Sequence, residues 1–174
     1  LLPYAPEFVP RGAPVPPFMP PVSESAKGAA RSRARVVQVW SPSLKRMVPV
    51  TVLLPRDYAT APTTRYPVLY LLHGASGDHT DWNARSGVAA YTENLPLIVV
   101  MPDAQGDSWY ADSPGFGRVR SFVSRDLVRT IDERYRTIAR REGRALAGLS
   151  MGGYGAWAVA LSAPGTFAAA ASLS

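Results

Sequence analysis

Apolar and polar positions along the chain alternate between a short and a long period. Arg35 to Trp40 and Val48 to Leu54 are rich in β-branched residues and nearly alternating, and Ser41-Pro42-Ser43-Leu44-Lys45-Arg46 joins them, which predicts an antiparallel strand pair. Tyr66 to Leu72 and Leu97 to Met101 are continuous apolar runs, the composition of strands covered on both faces in a parallel sheet. Between them, Trp82 to Asn94 has room for a helix. Val119, Phe122, Val123, Leu127, Ile131 and Tyr135 recur at helical spacing with Arg and Asp on the other face, predicting an amphipathic helix of about four to five turns at about 3.6 residues each. Ala145 to Leu149 reads as a strand, and Met151 to Leu161 as a helix apolar on nearly every side and therefore buried, ending at Ala163-Pro164-Gly165. Phe167 to Leu173 is the last predicted strand. A hairpin followed by alternating strands and helices is an α/β fold, a mostly parallel sheet with helices on both faces.

Residues 1–32 break this pattern. They are rich in Pro and Ala (Pro3, Pro6, Pro10, Pro14, Pro16, Pro17, Pro20, Pro21) with no sustained period, and read as a linker or an extended arm ahead of a domain over 33–174. A first residue other than Met fits either a mature end left by signal-peptide removal or a fragment. The first option expects a secreted or cell-envelope protein and the second leaves a cytoplasmic one open. No apolar run is long enough to cross a bilayer, so no membrane span is expected.

Charge and cysteine content narrow the chemistry. The net charge of +6 raises the question of an anionic partner. The basic residues, however, are almost all Arg, Lys27 and Lys45 apart, and they are scattered; the Arg134 to Arg144 cluster lies among Asp132, Glu133 and Glu142. No recognition motif accompanies the charge, so nucleic acid is not an expected partner. The absence of Cys excludes disulfides, thiol catalysis and thiolate metal sites. His79, between Asp78 and Asp81 in a Gly-containing loop, reads as part of a turn, with no second histidine to complete a zinc-type site; no cofactor or metal is expected.

The segment Gly148-Leu149-Ser150-Met151-Gly152-Gly153 places a serine between glycines where an apolar strand runs into an apolar helix. This is how a nucleophile elbow reads. A serine hydroxyl becomes a useful nucleophile when a sharp turn exposes Oγ to a base while backbone N–H groups face the developing oxyanion. The helix after Ser150 also points its positive end at the place where that charge forms.

Five motifs in order then resemble a known family: Tyr66-Pro-Val-Leu-Tyr-Leu-Leu-His73-Gly74-Ala75-Ser-Gly-Asp-His79-Thr-Asp-Trp82, Val99-Val-Met-Pro102-Asp103, Ser108-Trp109-Tyr110-Ala-Asp112-Ser-Pro114, Asp126-Leu127, and Gly148-Leu-Ser150-Met-Gly-Gly153. They resemble the α/β-hydrolase-fold esterases, a group that includes feruloyl, acetylxylan and tributyrin esterases, S-formylglutathione hydrolases and mycolyltransferases. The resemblance spans roughly residues 35–174. It implies an α/β-hydrolase fold, a three-layer sandwich, with Ser150 as nucleophile and the backbone N–H groups of Met151 and Ala75 as the oxyanion hole. It further implies that His73 braces the oxyanion loop, that Gly74 lets this loop bend towards substrate, and that Trp109, Tyr110 and Asp112 sit near the mouth of the site, where an aromatic wall binds the acyl or alcohol part. Trp109 and Tyr110 as packing residues, and Asp103 as a turn cap, are equally compatible with the residues themselves.

One departure matters. In this fold the triad arrives in the order Ser, acid, His, yet none of residues 151–174 is Asp, Glu or His. The expectation is therefore the N-terminal part of a longer esterase, cut after the strand that follows the nucleophile helix. Alone, it is expected to have little or no activity and to self-associate through the open edge of the Phe167 to Leu173 strand. Three functions stay open: a serine carboxylesterase acting on a small-molecule or carbohydrate-linked ester; an acyltransferase of mycolyltransferase type; and a non-catalytic binding module. The second shares Ser41-Pro42-Ser43, but those enzymes typically carry Asp and Ala where this chain has His73 and Gly153.

Overall fold

The computed structural model describes residues 34–174, so the Pro-rich arm expected over residues 1–32 lies outside the described residues. Six strands form one sheet: β1 (Arg35–Ser41), β2 (Arg46–Leu53), β3 (Val68–Leu72), β4 (Ile98–Pro102), β7 (Arg144–Leu149) and β8 (Ala169–Leu173), in the spatial order β1-β2-β4-β3-β7-β8. β1, β2 and β4 pair antiparallel, and β4, β3, β7 and β8 run parallel. A two-residue ladder, β5 (Asp112–Ser113) with β6 (Gly117–Arg118), stands apart from the sheet.

The continuous apolar runs have a two-sided core as their cause. Val68, Tyr70 and Leu72 of β3 and Ile98 and Val100 of β4 join one cluster, while Leu71, Val99 and Met101 join another on the opposite face. Alternate side chains of a strand point to opposite faces, so a strand covered on both sides needs an apolar residue at every position. The larger cluster includes Phe122, Leu127, Ile131, Met151 and Val159, carried by the two long helices; the smaller packs Trp82 and Val88 from the short helices α1 (Asp81–Arg85) and α2 (Val88–Tyr91). Fully burying one such side chain contributes about 1.5–3 kcal/mol. The architecture is that of an α/β-hydrolase fold.

Two helices depart from expectation in detail. The single helix expected over Trp82 to Asn94 is split at Ser86-Gly87, because Ser86 is extended and its hydroxyl both bonds the Trp82 carbonyl and accepts the Val88 N–H, competing with the helical ladder. The helix expected around Val119 to Tyr135 is α3, made of Val119–Ser121, a π-helical stretch Phe122–Leu127, and Val128–Arg134. Its apolar residues 119, 123, 127 and 131 repeat every fourth position, which overshoots an α-helix by about 40° each time. The wider π turn absorbs that overshoot and keeps the stripe on the sheet. Asp126 comes inward with it: it is buried, accepts hydrogen bonds from Ser41 Oγ (2.7 Å) and the Ser43 N–H (2.9 Å), and ties α3 to the β1–β2 hairpin. The remaining helix, α4 (Met151–Ser162), packs on β7 and β8. No helix among the described residues is long and apolar enough to cross a membrane.

Candidate active site

β7 ends at Leu149 and α4 begins at Met151, leaving Ser150 alone to turn the chain, with φ 55° and ψ −117°. A non-glycine residue held there stores strain of order 1–3 kcal/mol and persists only where its surroundings over-determine it. Here the Ser150 N–H donates to the Leu173 carbonyl (2.8 Å) and the Tyr154 N–H donates to the Ser150 carbonyl (3.1 Å). The crossing of strand and helix leaves no space: a Cβ on Gly148 would strike the Gly152 backbone, and one on Gly152 would strike the carbonyls of Leu72 and His73. Ser150 is exposed and opens on a cleft of about 350 Å³ lined by His73, Gly74, Ala75, Trp82, Arg85 and Leu149, among others.

The loop after β3 passes directly over the serine, since a Cβ on Gly74 would lie 3.5 Å from the Leu149 carbonyl and 3.9 Å from Ser150 Cβ. His73 is buried beneath this loop with both ring nitrogens committed. Nε2 accepts the Ala104 N–H (2.9 Å), which leaves the proton on Nδ1, and Nδ1–H donates to the Gly74 carbonyl (2.8 Å). The Gly77 N–H reaches the same carbonyl at 3.2 Å. The Gly74 carbonyl and the Ala75 N–H belong to one planar trans peptide, so holding the first sets the direction of the second. Met151, at the first position of α4, has an N–H with no acceptor inside its own helix.

The other residues marked by sequence divide into supports and surface. His79 Nδ1 lies 2.8 Å from Thr51 Oγ1 of β2. Asp78 accepts from Thr80 Oγ1 (2.6 Å) and the Thr80 N–H (2.7 Å), and these bonds hold its carboxyl below the usual range, the pattern of a turn. Asp103 accepts the Gln105 N–H at 2.7 Å. Asp112 accepts from the Ser121 N–H (3.0 Å) and Ser121 Oγ (2.6 Å), capping α3, whose own N-cap residue, Arg118, makes no side-chain cap. Desolvation pushes the Asp112 pKa up, but the Ser121 hydrogen bonds outweigh it and the carboxyl sits below its ordinary value.

Trp109 and Tyr110 are consecutive left-handed residues, φ 53° and 52°, and their rings part company. Trp109 is 54% exposed, meets Tyr154 edge-on at 5.7 Å, and donates its N–H to Met151 Sδ (3.4 Å). Tyr110 is fully buried, and its hydroxyl donates to the His73 carbonyl (3.0 Å). Tyr110 is thus a buried support, whereas Trp109 stays exposed beside the first turn of α4; neither they nor Asp112 are among the residues that line the serine cleft. In their place the lining includes Trp82, whose Nε1–H donates to the Leu72 carbonyl (3.0 Å), and the Asp81–Arg85 ion pair (3.3 Å). Nothing in the spacing of Asp81, Trp82 and Arg85 along the chain marks them as lining residues.

A family model described as "Putative esterase" matches residues 41–174. The chain belongs to that family. An esterase of Mycobacterium tuberculosis strain H37Rv is 40% identical over 141 residues, covering 76% of this chain and 29% of its own length. Among solved structures, a ferulic acid esterase superposes with a TM-score of 0.70 at 32% identity (79% of this chain, 56% of that one). A fluorophosphonate-binding serine hydrolase of Staphylococcus aureus gives a TM-score of 0.71 at 28% identity (79% and 55%). The chain thus spans under a third of that curated relative and about half of those structures.

Neither imidazole among the described residues is bonded to Ser150: His73 spends both nitrogens on backbone, and His79 faces Thr51. The described residues bring together an exposed serine, the N-terminus of α4 and the Gly74 loop held by His73.

Proposed function

We propose that the chain carries the nucleophile and oxyanion hole of a serine carboxylesterase. The observation that carries this reading is Ser150 at φ 55° between β7 and α4, open to a cleft that the Gly74–Ala75 loop also lines. A base from outside the described residues takes the Oγ proton as Oγ attacks the ester carbonyl. The N–H groups of Ala75 and Met151 receive the resulting oxyanion, the alcohol leaves with the proton, and water then attacks the acyl-enzyme to release the acid. The substrate class favoured by the ferulic acid esterase similarity is a small-molecule or carbohydrate-linked aromatic ester, with Trp109 and Tyr154 offering an exposed aromatic surface beside the elbow helix.

Labelling with a fluorophosphonate probe followed by peptide mass spectrometry tests the reading. In the full-length protein the expected result is one adduct on Ser150, absent in Ser150→Ala, with hydrolysis of p-nitrophenyl acetate lowered by at least about 10³-fold in that variant. An unlabelled Ser150, or a Ser150→Ala variant that keeps its activity, favours the non-catalytic binding module instead.

A further inference from the structure

The two proposed oxyanion donors sit on separate segments, Ala75 on the loop after β3 and Met151 on α4, and something must hold their separation. We infer that Tyr110 is the positioning residue that does so, an assignment that rests on the serine-esterase reading of Ser150. Its phenol touches both segments. The hydroxyl donates to the His73 carbonyl (3.0 Å), while the ring stands against Gly155 of α4 so closely that a Cβ there would strike Tyr110 Cβ, Cγ and Cδ2. The neighbouring Trp109 N–H reaches Met151 Sδ, so this short segment is fastened to the donor-bearing turn of the helix as well.

The grip on the loop is sequential. Tyr110 holds the carbonyl of His73, and the His73 imidazole holds the carbonyl of Gly74, whose peptide carries the Ala75 N–H. Two successive peptide planes are thereby held through their carbonyls. Tyr110 is fully buried and reaches this position only through a left-handed backbone that residues with a Cβ rarely adopt. Burial also pushes the phenol pKa well above its ordinary value, so the group remains a donor throughout the working pH range.

The test replaces Tyr110 with Phe and, separately, with 3-fluorotyrosine in the full-length protein, and reads kcat and KM for p-nitrophenyl acetate together with fluorophosphonate labelling. Loss of a whole oxyanion donor costs about 10²–10³-fold in kcat, and a misdirected donor less, so Tyr110→Phe is expected to lower kcat about tenfold or more. KM should stay within about twofold and Ser150 should still label, more slowly. The 3-fluorotyrosine protein keeps the hydroxyl and should return kcat to within about twofold of wild type. An unchanged kcat in Tyr110→Phe, or an equal loss with 3-fluorotyrosine, overturns the assignment in favour of simple packing. If circular dichroism shows the Phe variant unfolded, 4-fluorophenylalanine at position 110, which fills the space of the hydroxyl without donating, decides in its place: a kcat lowered about tenfold or more at unchanged KM supports the role and an unchanged kcat overturns it. Failure of wild-type Ser150 to label removes the esterase reading itself, whereas a labelled wild type with an indifferent Phe variant removes this inference only.

Discussion

His73 Nε2 receives the backbone N–H of Ala104 at 2.9 Å, and this bond excludes the ring from acting as the base for Ser150. A base must present an unprotonated nitrogen to the serine hydroxyl, and His73 has already given that nitrogen to the loop after β4. His73→Gln is therefore expected to lower kcat by about 10²-fold through loss of loop geometry. It should leave any ionisation near the ordinary histidine value, about 6.5, in the pH profile of kcat/KM. A pH–rate titration of the variant checks this; disappearance of that ionisation would make His73 the base.

The elbow permits no side chain at its two central glycines. Gly152→Ala forces a Cβ into two carbonyl oxygens and Gly148→Ala into the Gly152 backbone, so each is expected to destabilise by about 3 kcal/mol or more, at the upper end for overpacking. Gly165 and Gly115 have open space around a Cβ, and alanine there should shift stability by no more than about 1 kcal/mol. Urea unfolding of the four variants separates the pairs, and similar midpoints for all four would show that the crossing can relax.

The layer order was legible because strands covered on both faces leave continuous apolar runs, and because the glycines around Ser150 mark a turn with no space for Cβ. Other features leave no such trace. Asp112-Ser-Pro-Gly-Phe-Gly-Arg118 has no period, so the β5–β6 ladder was not visible in it. The break at Ser86 depends on where one hydroxyl points. Asp126 reads as part of the charged face of α3 and is in fact buried, because its partners Ser41 and Ser43 lie more than eighty residues away. The divergence of Trp109 and Tyr110 requires two left-handed residues in succession, a conformation that neither side chain announces.

Among the described residues β8 pairs with β7 alone, and four of its five residues are exposed. An uncovered edge of small apolar residues presents free main-chain groups to a second chain. Sedimentation of the 174-residue chain is expected to show concentration-dependent oligomers, and Ala171→Lys, at an exposed position of β8, should shift the distribution towards monomer. A monodisperse wild-type monomer would count against pairing through this edge.

Acid stability offers a separate test of the Asp126 tie. Burial raises the Asp126 pKa, but the hydrogen bonds from the Ser43 N–H and the Ser41 hydroxyl outweigh it and leave the folded value below the ordinary one. A carboxyl whose folded pKa is depressed contributes stability that is fully present above the unfolded pKa, about 3.9 for Asp, and is lost as pH falls through the folded value. Asp126→Asn removes the charge at every pH. Near neutrality it should cost about 1–3 kcal/mol, because an amide oxygen can replace one acceptor while its NH₂ is turned towards the Arg125 guanidinium, which lies 3.4 Å from the native carboxylate. As pH falls below about 3.9 and through the lower folded value the difference between variant and wild type should shrink, since protonation then removes the same charge from the native side chain. Denaturant titrations at pH 7, 5 and 3 measure it. A gap that stays constant across the three would mean that the Ser41 and Ser43 bonds do not depend on the carboxylate charge.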